Sequence, residues 1–565
     1  MIAKNHASCW IILLIPFFAA FSYALPSFAQ EEDTTTVPKD WFLRDPETDH
    51  VQGVSANRTY NTLLKGMPSR TVLVAVIDSG IDIEHEDLKD IIWVNADEIP
   101  NNGIDDDKNG YVDDIHGWNF IGGKNGNVAE DTYEVTREYA RLKPKYENVE
   151  NKKISKKNKA EYEYWKKVKF KYERDFKANK EKFDQYDQQY NMYANAIKVI
   201  GSCDSIISLN LNGKPVTKSS LTAITSTEQD VVYSKQTLLK VLESVGDDVE
   251  VGAFLEEIKS YLIQLKEAVD HYKVAVVYGY SLDFNSRTII GDNPANLYEK
   301  GYGNNDVKGP DAQHGTHVAG IIGANRNNNI GIKGIADNVR IMSVRAVPNG
   351  DERDKDVANA ILYAADNGAQ IINMSFGKSF SPNKEVVDKA VKYAEAKGVL
   401  LIHAAGNDGD DLDKDTNFPS RTYKDGKQAK AWLEIGASAW GSNEDFVGSF
   451  SNYGKKSVDL FAPGVQIYST TPNNTYEDLQ GTSMACPATV GVAAMLLEYF
   501  PDLKAEQLKL ILNQSTRKFD GLKVTKPGTT ETVPFNQLSI SGGIINAYEA
   551  VKLAASLSKT AVINK

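Results

Sequence analysis

The run Val72-Leu73-Val74-Ala75-Val76-Ile77 contains no polar residue and ends in Asp78-Ser79-Gly80. A strand with one face in water alternates apolar and polar side chains. An unbroken apolar run must be covered on both faces, as inside a parallel sheet. Its terminal carboxylate then falls where open α/β sheets build their sites, beyond the carboxyl ends of the strands. Further strands are predicted at 339–344, 370–374, 399–404 and 432–437, and helices at 357–367, 385–397, 488–500 and 505–513. Strands and helices alternating in this way predict an α/β fold, a mostly parallel sheet flanked by helices.

Three further motifs carry chemistry. Ser483 lies in Gly481-Thr482-Ser483-Met484-Ala485-Cys486-Pro487, ahead of an apolar run that reads as a buried helix. A hydroxyl in the first turn meets unpaired N–H groups and the positive end of the helix dipole, where a developing oxyanion is stabilised. The same Thr-Ser pair is also an ordinary helix cap. His314-Gly315-Thr316-His317-Val318-Ala319-Gly320 enters an apolar helix, and Ile402-His403-Ala404-Ala405-Gly406-Asn407 runs from a strand into small residues and an amide. Carboxylate, imidazole, amide donor and hydroxyl are the parts of an acyl-transfer site. Spacing does not separate His314 from His317, since both lie on one helix face. A metal reading of that His-x-x-His lacks an accompanying carboxylate ligand pattern.

Asp78-Ser79-Gly80-Ile81-Asp82, the His314–Gly320 motif, Ala404-Ala405-Gly406-Asn407 and Gly481-Thr482-Ser483-Met484-Ala485 resemble the subtilisin family of serine proteases. Their chain order, Asp then His then Ser, is that family's order. Smaller matches are Asn373-Met374-Ser375-Phe376-Gly377, Ser449-Phe450-Ser451-Asn452-Tyr453-Gly454 and Phe461-Ala462-Pro463-Gly464-Val465, and the similarity covers roughly residues 71–120 and 285–515. The resemblance implies a serine endopeptidase acting on polypeptides. Ser483 is its nucleophile, His314 its general base and then acid, and Asp78 orients the imidazole. The Asn407 amide joins the Ser483 backbone N–H as oxyanion donor. His317 becomes a packing histidine. Ser375, Phe376 and Gly377 are expected to pair with the substrate backbone as an added strand. The competing reading is a binding or adhesion protein whose helical arm carries the function on a protease scaffold. A dead scaffold need not keep all four groups, and this chain keeps them.

The chain has 565 residues, enough for more than one domain, and a net charge of −12 that argues against nucleic acid as the main partner. Residues 1–29 read as a signal peptide, with Lys4 ahead of an apolar stretch over 10–23 and small residues at Ser27 and Ala29. This predicts a periplasmic or extracellular protein with no membrane span in the mature chain. Residues 30–70 form a lead-in too short for the pro-domain that secreted subtilisins usually carry. Either it stays on the mature enzyme or an insertion assists folding. Cys9 leaves with the signal, and Cys203 and Cys486 are not expected to pair.

Asp78 and His314 are 236 positions apart, far more than one connection in a compact sheet needs. The catalytic domain is therefore predicted over 71–130 and 285–556, interrupted by a helical arm over 131–284. One apolar stripe runs through Tyr162, Trp165, Tyr172, Phe176, Phe183, Tyr186, Tyr190, Tyr193, Ile197 and Ile200; a second runs from Phe254 to Val276. With a polar, turn-rich stretch over 202–227 between them, they predict an antiparallel hairpin with a coiled-coil seam. Residues 141–190 carry a net charge of +7, so the arm is basic on an acidic body, a possible docking device for a protein partner.

Asp105, Asp107, Asn109 and Asp113 occupy positions 1, 3, 5 and 9 of an oxygen-rich loop with Gly110 at position 6. That spacing suits Ca²⁺, although His116 stands where an EF-hand has its closing Glu. The family resemblance implies a second calcium site at Asp87 and Asn328. No organic cofactor is expected.

Overall fold

The computed structural model describes residues 37–149, 154–246 and 249–558. The signal peptide over 1–29 lies outside the described residues. The chain divides into two compact units, one of residues 37–169 and 281–565, the other holding 170–280.

The larger unit is built on a nine-stranded sheet. In chain order its strands are β1 (Val72–Asp78), β2 (Gly117–Asn119), β3 (Val339–Arg345), β4 (Ile371–Met374), β5 (Leu400–Ala404), β6 (Trp432–Ser438), β7 (Leu460–Pro463), β10 (Arg517–Lys518) and β11 (Gly543–Ile544). A separate hairpin pairs β8 (Ile467–Thr471) with β9 (Thr475–Leu479). The sheet order is β10-β11-β7-β6-β5-β4-β1-β3-β2, parallel throughout except for β10 against β11. The chain first builds outward from β1 on one side, through β3 and β2, and then on the other from β4. The order in which strands are added thus reverses at β1, and in open α/β sheets the carboxyl ends of the strands at such a point, here β1 and β4, are where sites are built. Every residue of β1 except Leu73 is buried, as its unbroken apolar run requires.

Helices cover both faces. Those that concern the site are α1 (Glu134–Tyr146), α5 (Gln313–Gly323), α6 (Asp354–Asp366), α7 (Lys384–Ala396) and α8 (Thr482–Tyr499), with α9 (Ala505–Gln514) and α10 (Ala547–Leu557) beyond. Helix α8 begins six residues before the predicted 488, because Pro487 lies inside the helix and does not end it. The lead-in is part of this core. Trp41, Phe42 and Leu43 are buried, the Trp41 indole donates to the Gln466 carbonyl at 2.8 Å, and the Ala547 N–H donates to Val54 O at 2.8 Å. Removing this segment would open the hydrophobic core on which β1 rests.

The smaller unit is helical. It holds most of α2 (Lys159–Asn210), together with α3 (Gln229–Val245) and α4 (Val251–Val274). Tyr186 stacks on Tyr272 and Tyr193 meets Tyr261 edge-on, so α2 and α4 run antiparallel along the predicted stripes. The two-helix hairpin needs correction. Helix α2 continues to Asn210 because Cys203 and Ile207 extend the stripe at helical spacing, and α3 adds Val231, Leu238, Val241 and Leu242 to a three-helix core. The compact unit is also shorter than the predicted arm, since residues 131–169 belong to the larger unit. Cys203 and Cys486 are both free and buried. No helix among the described residues is long and apolar enough to cross a membrane.

Candidate active site

Asp78 ends β1 and His314 is the second residue of α5. Gly315 sets their approach: a β-carbon there would stand 2.2 Å from Gly80 O and 3.2 Å from Asp78 Cβ, so a larger residue would push the helix away. At this distance His314 Nδ1–H donates to Asp78 Oδ1 at 2.7 Å, and the Ser79 N–H donates to the same oxygen at 2.8 Å. Asp78 is buried while the imidazole side chain is 38% exposed, which leaves the ring accessible. Burial alone would lower the His314 pKa. The Asp78 charge and hydrogen bond, with a smaller push from Asp311, raise it above the usual 6.5.

His317, one turn on, is in a different state. It is fully buried and its Nε2–H donates to the carbonyls of Ile467 at 3.0 Å and Glu477 at 3.1 Å. Burial lowers its pKa to about 4, despite those bonds, so it is neutral near pH 7.

Ser483 is the second residue of α8. Its hydroxyl donates to Ser375 O at 3.1 Å, beyond the end of β4, and so is not directed at an imidazole in this resting arrangement. A reciprocal bond returns, from Ser375 Oγ–H to Ser483 O at 2.9 Å. Proline explains the second bond. Pro487 stands four residues after Ser483 and has no N–H for the Ser483 carbonyl, which accepts the hydroxyl of Ser375 instead. The hydroxyl of Ser375 is oriented in turn by Asn373 Nδ2–H, which donates to it at 3.0 Å.

Asn407 follows β5, and its Oδ1 accepts from the N–H of Thr482 at 2.9 Å and its hydroxyl at 3.0 Å. Holding the oxygen this way turns the amide nitrogen outward. A β-carbon at Gly481 would lie 3.4 Å from Asn407 Nδ2 and 3.6 Å from Ser483 N, so both donors border the space that glycine leaves open. Phe376 and Ser375 are buried and Gly377 is exposed, with Lys378 and Phe418 exchanging backbone hydrogen bonds just beyond.

The proposed calcium ligands divide. One oxygen each of Glu98, Asp105 and Asp107 lie within 4.8 Å of one another, a donor set that suits a hard cation. Sequence spacing missed Glu98, which lies outside the loop. Asp113 is turned elsewhere, accepting the N–H groups of Asn102 at 3.1 Å and Gly103 at 2.9 Å. Asn109 donates from its backbone to Asp105 and Asp107, and its Oδ1 accepts the Tyr111 N–H, so it closes the loop on itself. Asp87 and Asn328 do meet, but as a hydrogen-bonded pair: Asn328 Nδ2–H donates to Asp87 Oδ1 at 2.7 Å and the Ile332 N–H to Oδ2 at 3.1 Å. Burial raises the Asp87 pKa against those bonds, and the amide presents hydrogen, not oxygen, to the carboxylate.

The α/β sheet, the carboxylate–imidazole pair at the carboxyl end of β1 and a serine opening the central helix together define a serine-peptidase architecture. Residues 69–536 match the family model described as the subtilase family, and the chain belongs to that family. A 184-residue segment is 44% identical to the thermophilic serine proteinase of Bacillus sp. (strain AK1), covering 32% of this chain and 42% of that protein. A 240-residue segment is 35% identical to thermitase of Thermoactinomyces vulgaris, covering 42% of this chain and 75% of that one. Subtilisin DY of Bacillus licheniformis is 37% identical over 199 residues, 35% and 67% of the two chains.

Proposed function

We propose that the protein is an exported serine endopeptidase hydrolysing polypeptides through Asp78, His314 and Ser483, with Asn407 in the oxyanion hole. The observation that carries this is the 2.7 Å bond between His314 Nδ1 and Asp78. It fixes the tautomer in which Nε2 is the free, basic nitrogen. The Ser483 hydroxyl rotates from Ser375 O toward Nε2 and attacks the scissile carbonyl as its proton passes to His314. Asp78 stabilises the imidazolium so formed. The tetrahedral oxygen is held by Asn407 Nδ2–H and the Ser483 N–H at the start of α8, where the helix dipole adds to the field. His314 then protonates the leaving amine, and water, activated by the same nitrogen, releases the acyl group from Ser483. The extended segment Ser375–Gly377 is the edge against which the substrate backbone lies.

Export follows from the signal-like residues 1–29. Calcium is assigned to Glu98, Asp105 and Asp107, where it would hold a loop and take no part in the chemistry. A fluorophosphonate probe tests the reading: the purified protein should be labelled at Ser483, and His314→Ala should abolish labelling. Labelling elsewhere, or none with a correctly folded protein, would overturn it.

A further inference from the structure

Immediately after the substrate edge, the chain plunges a lysine into the protein. Lys378 is buried, and its Nζ donates to Glu134 Oε2 at 2.7 Å and to Glu352 O at 2.7 Å, with Asp354 Oδ1 at 2.8 Å. Glu134 is the first residue of α1, which precedes the long helix of the insertion. It is also buried, bonded to Arg137 Nη2 at 2.8 Å, while its own N–H donates to Asp351 Oδ2 at 2.8 Å. Arg353 closes the cluster with two bonds to Asp131, at 2.8 and 2.9 Å. Asp354 carries the tie onward, accepting from Ser381 Oγ at 2.9 Å and the Asn383 N–H at 2.8 Å. The titratable groups facing Lys378 are therefore Glu134, Asp354, Glu352 and Asp351, together with Arg137 of like charge.

A buried ion cluster is an expensive way to hold a surface loop, because each charge gives up its hydration. Its value is positional: a buried, many-bonded lysine leaves its own backbone little freedom. We propose that Glu134 and Lys378 are positioning residues for peptide binding, so that the root of the insertion, helix α1, fixes the edge formed by Ser375, Phe376 and Gly377. This rests on the peptidase reading above and on that edge carrying substrate. Contacts at the lysine and just after it support this. Its backbone N–H and C=O exchange bonds with Phe418 at 3.0 and 2.9 Å, and Tyr164, at the base of the insertion, meets Phe380 edge-on. The segment from Lys378 to Ser381 is thus clamped from several sides, whereas Gly377 itself is exposed.

The test uses the full chain with Glu134→Gln, which is isosteric and keeps an acceptor for Lys378, and with Lys378→Met. Three readings are taken: the fluorophosphonate labelling rate of Ser483, hydrolysis of a single-residue acyl ester, and hydrolysis of a tetrapeptide anilide that extends along the edge. Expected is a labelling rate and ester kcat/KM within about twofold of the unaltered protein, and a tetrapeptide kcat/KM lower by about tenfold or more, through KM. Equal losses on ester and tetrapeptide would show a general structural role and overturn the proposal. So would unchanged tetrapeptide kinetics, or loss of folded protein in both variants. Failure of the unaltered protein to label would instead sink the peptidase reading itself. A labelled protein whose kcat/KM is indifferent to peptide length would remove the edge alone.

Discussion

The exchange of hydrogen bonds between Ser375 and Ser483 can be tested by a double-mutant cycle with Pro487. Ser375→Ala removes the donor to Ser483 O, and Pro487 has no N–H to replace it. The same change strips Asn373 Nδ2 of its acceptor. A buried polar group left without a partner costs about 1–3 kcal/mol, so Ser375→Ala should destabilise by that amount or somewhat more. Pro487→Ala alone supplies an N–H to a carbonyl that is already satisfied, and should change stability by less than about 1 kcal/mol. In the double variant the new N–H takes over from the missing hydroxyl, and only the Asn373 loss remains. The coupling should therefore be at least about 1 kcal/mol, well above the few tenths that independent sites show. Urea unfolding followed by tryptophan fluorescence measures it, with all four proteins carrying Ser483→Ala to prevent self-digestion. That substitution also deletes the Ser483 hydroxyl bond equally from every corner of the cycle. Additivity within about 0.5 kcal/mol would show that the proline does not free the carbonyl for Ser375.

Asn407→Leu should lower kcat by roughly 10²–10³ with little change in KM, because the lost donor acts on charge present only in the transition state. Asn407→Asp should keep the bonds to Thr482, and hence stability, while losing activity as severely; an effect on KM alone would place the amide in ground-state binding. Ser483→Ala and His314→Ala should each reduce kcat by on the order of 10⁶, the scale known for the nucleophile and base of subtilisin, and an inactive His317→Ala beside an active His314→Ala would reverse the assignment. For His317 the folded pKa of about 4 lies below the usual 6.5, so the unfolded chain binds more protons between these values and stability must fall as pH drops from about 6.5 to about 4. The shift limits this loss to about 3 kcal/mol, and His317→Gln should flatten that part of a stability–pH curve measured by urea unfolding. Chelation should lower the melting temperature before it affects chemistry, since a site filled at 100 times its Kd contributes about 2.7 kcal/mol; an unchanged melting curve with depletion verified by elemental analysis would remove the Glu98, Asp105 and Asp107 site.

How much of this was legible in the sequence depended on how local each signal is. The five predicted strands recur with ends shifted by at most one residue, because each is a short, predominantly apolar stretch, although only Val72–Ile77 is apolar without interruption. Helix α8 starts before the proline that the sequence pattern takes as its boundary, for a physical reason. Proline ordinarily ends a helix, but here the orphaned carbonyl finds a hydroxyl from 108 residues away, and nothing near Pro487 announces that partner. Hairpin β8–β9 went unread, since Thr475–Leu479 is mostly exposed and has no apolar run. The acidic loop shows the opposite limit: its spacing named Asp105 and Asp107, but a spacing pattern cannot see Glu98 arrive from outside or Asp113 turn away to cap another turn.

The site divides along the same line. Asp78, His314, Asn407 and Ser483 sit in motifs whose neighbours are themselves informative: Gly315 permits the helix approach and Gly481 clears space beside the donors. Glu134 and Lys378 have no such signature. They are 244 positions apart, and each alone reads as a solvated surface charge. Only folding brings them together, with Asp354 and Arg137, into a cluster whose members would each be intolerable without the others. That mutual dependence is also why the insertion's entry helix cannot be treated as a passive stalk. A chain that merely tolerated foreign residues between its carboxylate and its imidazole would have kept their charges in water. This one buries Glu134, where the chain enters the intervening stretch, against Lys378 next to the proposed substrate edge, and both residues belong to the larger unit.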